Sequence, residues 1–184
     1  MDNRTLILAF LRPSVDHPIV NRLTAAVSRH GICHAKLVFS DTGAGAAALQ
    51  GFSIQLGETA ALKATRLTNP GYECVTLAVS PEEHARTLAF CRDVSQRAMP
   101  FDSLGMYLSA VHPGGCQARS SGQVGATFCS KIVTEAMQHG GLPEVRGLCP
   151  SRMSPSSLYD AVRASPRRVL NPISMRRIAA QFSM

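Results

Sequence analysis

The stretch from Thr127 to Gly141 limits what this chain can fold into more than any other. It reads as one helix with both ends marked. Thr127 is placed to cap the N-terminus by offering its hydroxyl to a free backbone N–H of the first turn. Ile132, Val133, Ala136 and Met137 recur at one-turn spacing, so one face is apolar and needs a surface to bury it. Gly140 and Gly141 stop the helix, because glycine at C′ takes the left-handed conformation without a Cβ clash. Cys129 falls in the first turn, beside unpaired N–H groups and the positive end of the helix dipole. That setting favours thiolate over thiol, and the thiolate is the nucleophile. The same N–H groups are placed to hold an oxyanion.

The surface that buries this helix comes from earlier in the chain. Thr5 to Leu11 is a short apolar run ended by Arg12-Pro13, which suits a buried strand. Pro18 to His30 reads as a helix with Ile19, Leu23, Ala26 and Val27 on one face. Ile32 to Phe39 is β-type: His34, Lys36 and Val38 share one face, and Cys33, Ala35, Leu37 and Phe39 the other. A flexible Gly/Ala-rich connection, Asp41 to Gln50, leads to Gly51 to Gly57, where Phe52, Ile54 and Leu56 point inward and Ser53 and Gln55 opposite. This run is expected to pair antiparallel with the His34 strand. Tyr72 to Val79 is a further strand.

Ser80-Pro81-Glu82-Glu83 is a helix start with three agreeing signals: Ser80 as N-cap, Pro81 at N1 and Glu83 closing a capping box. The helix should run to about Ala98 with Ala85, Leu88, Ala89 and Val94 mostly inward. Leu104 to Val111 reads as a short helix, and His112 to Gly125, rich in Gly, Ser and Pro, as a surface loop. Ser154 to Tyr159 opens a last short helix. Strands gather early and the cysteine helix comes late, which predicts an α+β fold with an antiparallel sheet packed against that helix.

At 184 residues and 45% hydrophobic, the chain has enough apolar material for one domain with its own core. The net charge of +7 is unevenly placed. Arg163, Arg167, Arg168, Arg176 and Arg177 lie near the C-terminus, and no acidic residue follows Asp160. This sets a domain over residues 1–164 and a basic tail over 165–184, a tail attracted to nucleic acid or an acidic membrane. The six cysteines have no paired spacing, which suggests free thiols in a reducing compartment. Clustered Cys and His ligands are missing, so no metal is expected, and no cofactor is implied. Leu6 to Leu11 is too short for a membrane span and lacks a cleavage-like signal after it; a soluble, cytoplasmic protein is expected.

A cysteine nucleophile needs a base within hydrogen-bond reach, and histidine is the usual one. His17 and His30 flank the first helix, at the surface. His84 falls in the first turn of a surface helix and His112 in a polar loop. His139 ends the same helix as Cys129, roughly 15 Å away at 1.5 Å per residue, and cannot serve that thiol. His34 alone stands on a strand whose alternation fixes its direction. To orient the imidazole, the next strand offers Gln55, whose amide oxygen can accept from a ring N–H, or Ser53. Lys36 and Glu58 are weaker choices.

The runs His34-Ala35-Lys36-Leu37-Val38-Phe39, Gly51-Phe52-Ser53-Ile54 and Thr127-Phe128-Cys129-Ser130-Lys131-Ile132-Val133 resemble the circularly permuted branch of the NlpC-type papain-like thiol hydrolases. That branch includes bacterial lipoprotein-like hydrolases, lecithin–retinol acyltransferase-like enzymes and poxviral relatives, and its histidine strand precedes its cysteine helix. Pro150, Ser154-Pro155-Ser156 and Leu158-Tyr159 are also similar to the permuted pattern. Lys36 departs from it, standing where close relatives would carry an acidic residue. The resemblance implies a papain-like fold, Cys129 as nucleophile and His34 as general base, with an acyl-enzyme intermediate. Water as second substrate gives a peptidase, amidase or isopeptidase. The absence of a histidine at 53 or 55 tilts the reading that way. The alternatives are a lipid-directed thiol acyltransferase and a non-catalytic, virion-associated or nucleic-acid-binding protein that keeps the fold.

Overall fold

The structure is a computed structural model and describes residues 4–40, 49–103, 106 and 127–169. Five strands form one sheet: β1 Arg4–Leu11, β2 His34–Phe39, β3 Gln50–Ser53, β4 Ala61–Ala64 and β5 Tyr72–Val79. Their spatial order is β4-β3-β2-β1-β5 and every neighbouring pair is antiparallel. Among the described residues four α-helices accompany the sheet: α1 Ile19–Ala26, α2 Pro81–Arg97, α3 Cys129–Gly140 and α4 Pro155–Arg163. The fold is α+β.

Alternation decides which side of the sheet takes the helices. Leu6, Leu8 and Phe10 of β1, Ala35, Leu37 and Phe39 of β2, and Val75, Leu77 and Val79 of β5 form one buried cluster. Against them pack Leu88, Cys91 and Val94 of α2, Ile132, Val133, Ala136 and Met137 of α3, and Leu158 and Val162 of α4. The apolar stripe of α3 is therefore buried against the sheet, as its spacing required. Ile132, Val133 and Met137 are fully buried, each contributing roughly 1.5–3 kcal/mol by leaving water. The opposite face holds a smaller cluster of Ile7, Ala9, Val38 and Leu49.

The start of α2 follows the sequence closely. The Glu83 N–H donates to Ser80 Oγ at 3.1 Å, and the Ser80 N–H donates to the Glu83 carboxylate at 2.8 Å. Its inward face does not follow: Ala85 and Ala89 are exposed, whereas His84, Thr87, Leu88, Cys91 and Val94 are buried. His84, expected at the surface, sets its ring edge-on to Phe39 with centroids 5.3 Å apart. The two glycines ending α3 divide their work. Gly141 takes the left-handed cap at φ 82°, while Gly140 lets α2 approach, since a Cβ there would meet Thr87 Oγ1 at 2.0 Å.

Other expectations are corrected. β3 ends at Ser53, so Ile54 is buried but Leu56, expected inward, is exposed. β4 has no counterpart among the expected strands, and α1, Ile19–Ala26, is shorter than the helix expected over Pro18 to His30. Cys33, Cys74, Cys91 and Cys129 are free thiols, whereas Cys149 is disulfide-bonded, against the expectation of free thiols throughout. The charge boundary at 164/165 is not where packing ends. Residues 167–169 run along the outer edge of β5, with Ala78 N–H donating to Arg167 O and Val169 N–H to Thr76 O. Arg167, expected to lack an acidic partner, pairs with Glu83 at 2.9 Å and with Glu144 at 2.7 Å. No helix among the described residues is long and apolar enough to cross a membrane. The connection at 41–48, most of the helix expected over Leu104 to Val111, the loop with His112 and Cys116, and the tail beyond Val169 lie outside the described residues.

Candidate active site

Phe128, not Thr127, is the N-cap of α3, and no side chain caps the helix. Thr127 is held one residue earlier: its N–H donates to Pro100 O at 2.9 Å and its carbonyl accepts from Asp102 N–H at 2.7 Å. With no hydroxyl over them, the first-turn N–H groups stay available to the residue that opens the helix, Cys129. Ser130 anchors this end, its hydroxyl donating to the Met153 carbonyl at 2.5 Å.

Cys129 is 3% exposed. Burial pushes its thiol pKa up, while hydrogen bonds from the backbone N–H groups of Ala35, Ser130 and Cys129 itself pull the other way. Burial wins, so the resting group is a thiol. This corrects the expectation that the helix start alone would give a thiolate: a screened dipole does not offset removing a charge from water. Burial likewise raises Cys33 and Cys74 to about 11.

His34 opens β2, directly before the Ala35 amide that hydrogen-bonds the Cys129 sulfur. It stands opposite Leu11 of β1, which on its other side stands opposite Tyr72 of β5. Three residues thus form one row across the end of the sheet. The imidazole is buried, and burial, with the Lys36 charge second, lowers its pKa to about 4. It is neutral at physiological pH, and its Nε2 has no hydrogen-bond partner. Lys36 turns its ammonium to Thr65 Oγ1 at 3.2 Å and lies 5.3 Å over the Tyr72 ring.

His34 and Cys129 line one cavity of about 350 Å³, together with Cys33, Gln55, Tyr72 and the inner side of α1. No hydrogen bond joins the two. The β2–β3 ladder pairs Phe39 with Gln50, Val38 with Gly51 and Leu37 with Phe52, and β3 ends at Ser53, so Gln55 lies past the end of the strand. Gln55 lines the cavity and Ser53 does not. Glu58 faces Lys63 at 3.7 Å. His30 bonds Asp160 at 2.8 Å, and His139 stacks on Phe90 at the far end of α3.

Sequence reasoning missed His17, Tyr72 and Cys33 as cavity residues. Tyr72 joins His34 only through Leu11, a register that no single run displays. His17, next to Pro18 at the start of α1, accepts a hydrogen bond at Nδ1 from the Ser14 N–H at 3.0 Å. A second cavity of about 340 Å³ adjoins the first, sharing Thr24, Cys33 and Met106 with it. Among the described residues no group of three or more His, Cys, Asp or Glu side chains is placed to hold a metal ion. No protein-family model, curated protein or solved structure matches the chain.

The neutral imidazole has a measurable consequence for stability. A His34 pKa of about 4 in the folded chain against 6.5 unfolded means the unfolded chain takes the proton first, a difference of roughly 3 kcal/mol. That stability is fully present above pH 6.5 and drains away as pH falls towards 4. Denaturant titrations at pH 7, 6 and 5 should show the wild type losing more stability on acidification than His34→Gln. His84, also lowered by burial, acts in the same direction, so His84→Gln belongs alongside. Equal losses in wild type and His34→Gln would mean that His34 is not buried in its neutral form.

Proposed function

We propose that this chain is a cysteine-dependent hydrolase of the papain-like type, acting on a peptide or other amide through an acyl-enzyme on Cys129. One observation carries the reading. The thiol at the uncapped start of α3 and an imidazole with an unpartnered Nε2 line the same cavity.

Both groups rest neutral. As Sγ attacks the substrate carbonyl, its proton passes to His34 Nε2, so neither charge forms alone in the buried site. A developing thiolate beside the ring raises its basicity through an attraction that low dielectric strengthens. The C–S bond forms, the carbonyl oxygen takes the negative charge, and the Cys129 N–H helps to hold it. His34 then returns the proton to the leaving nitrogen as the C–N bond breaks. Water, deprotonated by the same imidazole, attacks the thioester and releases the acid and the thiol. Gln55, which lines the same cavity as His34, is the group proposed to orient the ring.

Incubating the full chain with an electrophilic thiol probe and mapping the adduct by mass spectrometry tests the assignment. The expected result is a single fast-forming adduct on Cys129 among the free cysteines. Labelling of Cys33 or Cys74 at the same rate or faster would remove the basis for a nucleophile at Cys129.

A further inference from the structure

The residues on either side of Cys129 do not share its cavity. Phe128 and Ser130 line the second cavity, of about 340 Å³, while Cys129 lines the first. The start of α3 therefore borders both, and Thr24, Cys33 and Met106 are common to the two walls. Neighbouring Cα atoms lie about 3.8 Å apart, so the second cavity begins a single residue away from the nucleophile.

The two cavities differ in what they leave for a ligand to bond. The first holds the unpartnered Nε2 of His34. In the second, the polar groups are engaged within the protein. Ser28 Oγ lies 2.9 Å from Ser156 Oγ, and Ser154 Oγ 2.9 Å from Ser157 Oγ. The Ser130 hydroxyl donates to Met153 O and the Thr24 hydroxyl to Val20 O. Asp160 faces His30 at 2.8 Å and Arg29 at 3.7 Å, and Arg152 has a partner of its own. Among the described residues, no buried side-chain N or O atom of this wall lacks a hydrogen-bond partner.

The rest of the wall is Val27, Ile32, Cys33, Met106, Phe128 and Pro155. A polar ligand group entering here would give up its hydrogen bonds to water and find no buried atom waiting to replace them. An apolar group gains by leaving water. The volume is also sufficient, since pockets for small molecules start at roughly 300 Å³.

We propose that the second cavity receives a bulky apolar group carried by the acyl part of the substrate that Cys129 attacks. This rests on the hydrolase reading and adds the substrate class: an amide with an aromatic or aliphatic group close to the scissile carbonyl. The acyl part stays bonded to Sγ between the two chemical steps, so a cavity beside Cys129 holds it through both.

The test is the rate at which chloromethyl ketones alkylate Cys129 in the full chain. In that reaction the Sγ–C bond forms, chloride leaves with the electrons of the C–Cl bond, and the thiol proton passes to His34. The reagents are those of N-acetylalanine, N-acetylphenylalanine and N-acetylglutamate, and one with an unbranched octyl chain. The phenylalanine reagent should react roughly 10–100-fold faster than the alanine reagent. Val27→Trp, just past the end of α1, and Ser157→Trp, on α4, fill the cavity from two walls; both positions are exposed, so the fold is kept. In each variant the phenylalanine rate should fall to that of the alanine reagent. An octyl reagent faster than phenylalanine would name a fatty acyl chain as the source of the apolar group, and the reverse an amino-acid side chain; both uphold the assignment. Alkylation of Cys129 by none of the reagents would end the hydrolase reading and the proposal with it. On a Cys129 that does react, equal rates with alanine and phenylalanine, or the fastest rate with glutamate, would leave that reading standing and overturn the proposal. A preference for phenylalanine that survives both tryptophan variants would overturn it too, by placing the apolar group elsewhere.

Discussion

Replacing His34 with alanine is expected to slow the reaction of Cys129 with an acylating probe by roughly 10²–10⁴-fold, the range for losing a positioned general base. The resting thiol explains why the loss should be large. Burial keeps Cys129 protonated, and the three backbone N–H groups around its sulfur do not reverse that. Without a nearby acceptor its proton has nowhere to go. The pH profile separates this mechanism from a preformed ion pair. A neutral His34 with a pKa near 4 keeps its accepting lone pair down to that pH, so the wild-type rate should fall only as pH drops through about 4. Single-turnover labelling from pH 4 to 8, with the melting temperature of each variant measured beside it, gives both quantities. An unchanged rate in folded His34→Ala would end the base assignment; an acid limb near 6.5 would show that His34 is not held neutral by burial.

Arg167→Ala should be the most destabilising change near the end of the described chain, costing about 3 kcal/mol. The guanidinium lies between Glu144, whose side chain is 4% exposed, and Glu83, at 20%. Removing it leaves a carboxylate out of water with no counter-charge, which costs more than the pair contributes. Glu83 is also half of the capping box that starts α2, so the loss reaches a second element. Urea titration of the variant measures the effect, and Arg167→Ala/Glu144→Ala should recover part of it. A single variant within about half a kcal/mol of wild type would show that the cluster is not structural.

What was legible in the sequence was whatever neighbours along the chain decide. The sequence predicts a strand over Tyr72 to Val79, the observed bounds of β5, and the helix start Ser80-Pro81 follows it directly. The capping box needs only residues three apart, and the pairing of β2 with β3 needs only two alternating runs close together. The misses all turn on partners far away. Ala85 and Ala89 look inward by composition, yet the buried face is set by where α3 crosses α2, and that crossing depends on Gly140. The aliphatic face of α1 was visible, but not that it points to water. From the sequence Gln55 is only slightly preferred over Ser53, and the cavity separates them, since Gln55 lines it and Ser53 does not. The helix end favours a thiolate at Cys129, whereas its ionisation is governed by how completely the fold encloses it.

The strand order has a consequence for how the molecule comes into being. β1 to β4 follow one another in both sequence and space, so that part of the sheet can assemble from local pairings as the chain is made. β5 must then return to the far side of β1, and α3 comes later still. His34 and Cys129 are separated by 95 positions in the sequence, about 5–20 s of synthesis at ordinary elongation rates. Through that interval His34 lacks the Cys129 thiol, and the apolar side of the sheet lacks α3, with α2 made before it. A nascent chain is therefore chemically silent at this site, and it is most exposed to aggregation just before α3 emerges.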